Sequence, residues 1–212
     1  MDATVAVSAV RDVGPDTIAL ELESPDGFTA QPGQFVKLLG TVDGEEYARF
    51  YTLSSPSVDD TFEVTVGVDP EEAGAFSRYL LALTPGDTLD ISGPFGRNFY
   101  DGESRAVVLA GGPGVGPAVG IAEAALADGS EAAIVYQTDA PAHQERLDAL
   151  REAGVSVSIT AGDISAAVED AVTGDPGEQL FVYGFAEFVD DATAALEAAA
   201  VDADEAKFEN FG

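Results

Sequence analysis

The chain has no cysteine, and its 212 residues include a single histidine, His143, and only two lysines, Lys37 and Lys207. Without thiolates there is no disulfide, no cysteine-ligated zinc and no cysteine-bound iron–sulfur cluster, so any redox chemistry here needs an organic cofactor. No metal-ligand spacing is present. Basic residues are scarce: 9 Lys plus Arg stand against 39 Asp plus Glu, a net charge of −30. Nucleic-acid binding needs clustered Lys and Arg, and this balance argues against it. No apolar run approaches the roughly 18 residues of a membrane helix. The start, MDATVAVSAV, lacks the basic head and apolar middle of a signal peptide, which points to the cytoplasm. In place of bases the chain carries scattered acids and many small residues. That is the surface of a protein working in molar salt, where the Debye length shrinks to about 3 Å and self-repulsion is screened. A hydrophobic fraction of 46% and 23 glycines describe a globular chain, long enough for one large domain or two small ones.

Residues 1–101 read as strands. DTIALELE (16–23) and TFEVTVGV (61–68) alternate apolar and polar residues with the period of a half-buried antiparallel strand. Further short strands are expected at 4–10, 34–39, 47–54 and 88–92, separated by turn signals such as Gly14-Pro15, Pro32-Gly33 and Pro85-Gly86-Asp87. Only AGAFSRYLLAL (73–83) has helical spacing. Six strands with one helix predict a six-stranded antiparallel β-barrel, although the pattern alone does not close it.

Over residues 102–212 the rhythm changes. AVVLAGG (106–112) is a continuous apolar run, as in a strand buried on both faces. A helix at about 116–128 follows, then strand 132–137, helix 143–154, strand 155–160, helix 163–172, strand 179–184, helix 186–200 and the closing KFENF. Such alternation predicts an α/β unit with a doubly wound parallel sheet.

The first strand–helix junction of that unit reads GGPGVGP (111–117). Glycines allow a sharp turn and a close approach, Pro117 suits the first helical turn, and the free N–H groups there make an anion site fit for a pyrophosphate. Tight packing is the plainer explanation of such a turn; its place after an apolar strand favours nucleotide binding.

RFYTLSS (49–55) resembles the R-x-Y-[S/T] flavin motif of the ferredoxin–NADP⁺ reductase superfamily. GAFS (74–77) is similar to that family's G-x-x-S turn, GPFGRNF (93–99) to its G-P-x-G-x-F barrel exit, GGPGVGP to its nicotinamide-nucleotide loop, and ENFG (209–212) to its aromatic end. The five occur in the family's order and span the chain. The resemblance implies an FAD-binding barrel followed by an NAD(P)-binding domain, of a haloarchaeal, acidic type. Arg49 is then expected on the FAD pyrophosphate, where a planar fork suits phosphate oxygens. Tyr51 is expected against the isoalloxazine, Thr52 near its N5, and Phe50 and Leu53 beside them. Gly74, Ala75, Phe76 and Ser77 are expected at phosphate; Gly112, Gly114, Val115, Gly116, Pro117 and Gly184 at the nicotinamide nucleotide; Phe211 on the flavin, and Glu209 near the nicotinamide. Tyr51, Thr52, Glu209 and Phe211 are thus the candidate catalytic residues. Arg78 and Arg97 lie in or beside the same motifs, as flavin ligands or as surface ion-pair residues.

Departures from the pattern carry expectations of their own. Tyr183-Gly184-Phe185 stands where the family often has C-G-P, and the bulkier side chains are expected to crowd the nicotinamide pocket. Gly116 replaces a frequent threonine and removes a hydroxyl. Asp139, after the second strand of the α/β unit, favours the ribose 2′-hydroxyl of NADH over the 2′-phosphate of NADPH, with Arg146 a rival phosphate contact. His143 is expected to cap its helix or face solvent. The implied activity is hydride transfer from NAD(P)H to FAD, then electron transfer to an external acceptor such as ferredoxin. A flavin-binding sensor or regulatory subunit without nicotinamide turnover is the alternative, and an acidic interaction protein without flavin a third.

Overall fold

The structure, a computed structural model, describes residues 1–68 and 74–212. The six expected strands of the first half are β1 (Asp2–Gly14), β2 (Thr17–Glu23), β3 (Phe35–Val42), β4 (Glu45–Thr52), β5 (Thr61–Gly67) and β6 (Thr88–Phe95), with helix α1 (Ala75–Leu81) before the last. The expected helix began at residue 73, which lies outside the described residues. The strands pair antiparallel in the order β4-β3-β6-β1-β2-β5. A bridge between Leu53 and Val64 joins the two outer strands, and the Ser54 N–H donates to Glu63 O at 2.8 Å, so the sheet closes on itself. β1 makes this possible. Its first residues pair with β6, and after Val7 it shifts register and pairs with β2. Inward-facing Leu20, Leu22, Val36, Leu38, Leu53, Phe62, Val64 and Val66 fill the barrel.

Beyond it run β7 (Arg105–Gly111), α2 (Val115–Ala127), β8 (Glu131–Gln137), α3 (Gln144–Glu152), β9 (Ser156–Thr160), α4 (Ser165–Ala171), β10 (Glu178–Gly184), α5 (Ala186–Ala198) and β11 (Lys207–Asn210). The five strands are parallel, in the order β11-β10-β7-β8-β9. β7 is central, and its alternate residues serve two cores. Ala106, Val108 and Ala110 pack with α2 and α3, while Val107 and Leu109 pack with α4 and α5. Burial on both faces is why this strand reads as an unbroken apolar run. The chain winds outward from β7 in both directions, so the sheet's switch point lies between the carboxyl ends of β7 and β10, where ligands bind in folds of this kind.

Segment 96–104 leads from barrel to sheet and is tied down at both ends. Asn98 Nδ2 donates to Phe208 O (2.6 Å), Lys207 Nζ to Phe99 O (2.7 Å), and the Tyr100 N–H to Pro32 O (2.9 Å). Among the described residues no helix is long and apolar enough to cross a membrane, and no cluster of three or more metal-ligating side chains occurs.

Candidate active site

At the switch point the carboxyl end of β4 faces the glycine turn across a cleft of about 180 Å³. Arg49, Phe50, Tyr51 and Thr52 line it from β4, Thr65 and Gly67 from β5, Pro113 and Pro117 from the glycine turn, and Phe185 and Phe211 from the ends of β10 and β11. Six expected site residues therefore converge: Arg49, Phe50, Tyr51, Thr52, Pro117 and Phe211. Burial pushes the Tyr51 hydroxyl up to about 12, against a smaller opposing pull from Arg49, so it stays protonated.

The donor set in this cleft lacks partners within the protein. Arg11, Arg105, Arg146, Arg151 and Lys207 each hold a carboxylate. Arg49 has none among the described residues and donates only to the carbonyl of Ala48 (2.8 Å). The hydroxyls of Tyr51 and Thr52 have no hydrogen-bond partner among the described residues, though Thr52 is buried. A guanidinium left without a carboxylate in so acidic a chain, beside an aromatic ring and two idle hydroxyls, fits an aromatic diphosphate such as FAD.

Other expected residues take different places. Leu53 and Phe76 are buried in the barrel core, Phe76 stacked between Tyr47 and Tyr79 at 5.9 Å from each, and Val115 is buried at the start of α2. For these three only the backbone is left to a ligand. Gly74, Ala75 and Ser77 open α1 and do not line the cleft. Phe50 is 62% exposed and packs against Phe35 and Phe95 on the barrel's outer surface. Of the glycine turn, Gly112 (φ +53°) is open, whereas Gly114 abuts the carbonyl of Tyr183. Gly184 O accepts from the Phe211 N–H (3.0 Å), which fixes the last aromatic residue at the cleft. Glu209 stands beside Tyr183 on β11, behind the cleft lining, and burial raises its carboxyl pKa. Asp139 is exposed past the end of β8.

Three sequence expectations are corrected, for Tyr183, Arg146 and His143, while that for Phe185 holds. Tyr183 does not crowd the cleft: it is fully buried in the sheet core and its hydroxyl donates to Asn98 O (2.7 Å), pinning sheet to barrel exit. Phe185 does line the cleft, 54% exposed and edge-on to Phe211. Arg146 is not available to a phosphate, because it bonds Glu123, Glu63 and Ser54 O at 2.7–2.9 Å. His143 occupies the cap position of α3, but its side chain makes no capping bond and does not face solvent. It is 3% exposed, and its Nε2 lies 2.8 Å from Thr65 Oγ1. Burial, and then the charges of Arg146 and Arg11, lower its pKa to about 3.

Sequence reading missed Thr65 and Gly67 altogether. Strand periodicity puts Glu63 and Thr65 on the barrel's outer face, where solvent is expected, yet they are only 7% and 6% exposed. Gly116 at the amino end of α2 covers Thr65, and Arg11 and Arg146 cover Glu63. A Cβ on Gly116 would lie 2.3 Å from Thr65 Oγ1 and 2.5 Å from Ser54 Oγ, so the space of the missing threonine is filled by hydroxyls from the barrel. Nothing local marks Thr65, because its role depends on β5 meeting both β4 and α2.

Residues 4–100 match the family model described as oxidoreductase FAD-binding domain. The ferredoxin–NADP reductase B of Sorangium cellulosum is 30% identical over 204 residues, 83% of each chain. This chain belongs to the ferredoxin–NADP reductase superfamily. It is an NAD(P)H-dependent flavin oxidoreductase that passes electrons through FAD to an external acceptor. Other relatives are longer and match in part. An NADH-cytochrome b5 reductase-like protein of Mus musculus is 32% identical over 58% of this chain and 40% of its own length. The fold agrees with solved structures. An Amycolatopsis cytochrome P450 reductase superposes with TM-score 0.83 at 24% identity, over all of this chain and 70% of that one. The flavohem-like FAD/NAD binding domain of a Vibrio cholerae nitric oxide dioxygenase also reaches 0.83, at 20% identity over 99% and 98% of the two chains.

Proposed function

We propose that this reductase holds FAD with Arg49, Tyr51 and Thr52, takes hydride preferentially from NADH, and delivers electrons to a small acidic redox protein of the ferredoxin kind in a salt-rich cytoplasm. Residues 1–101 form the flavin-binding unit and 102–212 the nucleotide-binding unit. Bound FAD supplies a two-electron centre that accepts hydride and releases electrons singly or in pairs. The protein's part is positioning. The Arg49 guanidinium neutralises diphosphate, the Tyr51 ring offers a flat apolar surface, and the Thr52 hydroxyl supplies a hydrogen bond at the cleft floor. Pro113 and Pro117 hold the glycine turn against that floor, while Phe185 and Phe211 shield the open side from water. The single observation that carries the reading is that Arg49, which holds no carboxylate among the described residues, lines one cleft with Tyr51, Thr52, Pro117 and Phe211.

Support for NADH is the exposed carboxylate of Asp139 together with the engagement of Arg146 elsewhere. A carboxylate accepts a 2′-hydroxyl and repels a 2′-phosphate. The acidic surface is compatible with an acidic partner because molar salt screens their repulsion. The sensor alternative loses the support of Tyr183, whose side chain lies outside the cleft. Anaerobic addition of each nucleotide in molar KCl tests the proposal: NADH is expected to bleach the visible flavin absorbance faster than NADPH. A colourless protein, or no bleaching with either nucleotide, overturns it.

A further inference from the structure

Electron bookkeeping leaves a proton behind in the cleft. Hydride carries two electrons and one proton, and acceptors that take one electron each remove only the electrons. For every nicotinamide oxidised, one proton must therefore leave. The cleft side chains are poor candidates to carry it alone. A guanidinium is not a proton carrier in proteins, burial keeps the Tyr51 hydroxyl protonated, and threonine hydroxyls can only pass a proton on.

One hydroxyl does lead outward. Thr65 lines the cleft, and its Oγ1 lies 2.8 Å from His143 Nε2 and 2.7 Å from Ser54 Oγ. The imidazole also lines a second cavity of about 410 Å³, together with Arg11, Asp12, Glu63, Glu145 and Arg146. The hydrogen-bonded Thr65–His143 pair thus has one member on each cavity. We propose that Thr65 and His143 form the proton exit of this reductase, passing the proton left by hydride transfer from the cleft to the second cavity. The relay balances without storing charge. Thr65 Oγ accepts the cleft proton as its own proton moves to His143 Nε2, and the proton on His143 Nδ1 leaves to water. Rotation or re-equilibration of the tautomer resets the ring.

The surroundings hold the ring for this task. The backbone N–H of His143 donates to Val13 O (2.7 Å), and Ala142 packs directly on Gly14, so the end of β1 grips the loop before α3. Charged groups face the imidazole from every side: Arg11 and Asp12 from β1, Glu63 from β5, Glu145 and Arg146 from α3. Glu123 on α2 reaches it only through Arg146. The two arginines are bound by Glu21, Glu63 and Glu123. Burial and those arginines keep the ring neutral, which suits a conduit better than a reservoir. A purely structural hydrogen bond between the domains has no need of a cavity behind it.

The inference rests on the reductase reading above, and its test is separable from that reading. In the flavin-loaded protein the only histidine gives isolated ¹⁵N imidazole signals. The relay requires the proton on Nδ1, with Nε2 accepting from Thr65. Thr65→Val is expected to shift the Nε2 resonance toward that of an unbonded nitrogen, whereas Thr65→Ser preserves it. In stopped-flow experiments, His143→Gln and Thr65→Val are expected to slow reoxidation by ferricyanide, relative to reduction by NADH, by about 100-fold or more. Thr65→Ser should retain the wild-type ratio, and added imidazole should restore the rate of His143→Ala through the second cavity. Finding the proton on Nε2 overturns the relay, and so does an unchanged ratio in both variants that remain folded and flavin-loaded. If neither nucleotide reduces the wild type, the reductase reading fails. The tautomer measurement and reoxidation after dithionite reduction then still decide the relay.

Discussion

Gly120→Ala sets two local effects of opposite sign against each other. Gly120 sits inside α2, where glycine costs about 1 kcal/mol relative to alanine. On helix propensity alone, the change stabilises. Tertiary packing says otherwise. A Cβ there would lie 2.7 Å from the carbonyl oxygen of Ser54, 2.9 Å from its carbonyl carbon and 3.1 Å from Ser55 O, all of them backbone atoms that cannot rotate away. Ordinary contact begins at 3.4 Å, so α2 must retreat from the barrel by about 0.7 Å (3.4 minus 2.7). That retreat draws Glu123 on α2 away from Ser54 O, which the same Arg146 nitrogen bridges, and moves Pro117, which lines the cleft. Overpacking of this kind costs about 1–3 kcal/mol. Set against the propensity gain, the expected net loss is about 1 kcal/mol, or about 2–4 °C in the melting temperature of a chain this size. Melting followed by far-UV circular dichroism in molar KCl measures it, and the visible dichroism of the bound flavin reports the displaced loop. A melting temperature that rises, with an unaltered flavin signal, would falsify the claim that α2 is seated on the barrel through its glycines.

Arg49→Ala removes charge-assisted hydrogen bonds worth about 1.5–3 kcal/mol, so FAD is expected to bind about 10- to 100-fold more weakly, measured as flavin fluorescence released on dilution. Asp139→Ser should lower the ratio of NADH to NADPH reduction rates by about 10-fold, and an unchanged ratio removes the ribose contact. The His143 pKa is lowered from 6.5 to about 3 in the folded chain. Below pH 6.5 the unfolded state therefore takes up a proton that the folded state refuses, and this residue destabilises the fold by about 1.4 kcal/mol per pH unit as pH falls toward 3. The His143→Gln variant lacks that slope. Denaturant melts of the two proteins should differ by a constant above pH 7 and diverge in the variant's favour below pH 6.

Most of the fold was legible because its signals are local. The alternation in TIALELE and TFEVTVG and the apolar run at AVVLAG report how many faces of a strand are buried, and the eleven strands and five α-helices found among the described residues lie where those patterns place them to within a few residues. The order of the strands was not legible. Closure of the barrel depends on the Leu53–Val64 bridge between strands that carry no mark of each other. The same holds within the site. Arg49, Tyr51, Thr52, Pro117 and Phe211 announce themselves in short motifs, while Thr65 looks like any polar residue on an exposed strand face.

From the amino-acid order alone came the two-part architecture, the requirement for an organic cofactor and the scarcity of cations that makes Arg49 conspicuous, because each is a matter of composition or of spacing along a single element. Tertiary structure decided which way Tyr183 points, what holds Arg146, and that His143 joins two cavities through Thr65. Those outcomes depend on how closely α2 and α3 approach the barrel, a distance governed by atoms more than fifty residues apart in the chain, such as Gly120 and the carbonyl of Ser54.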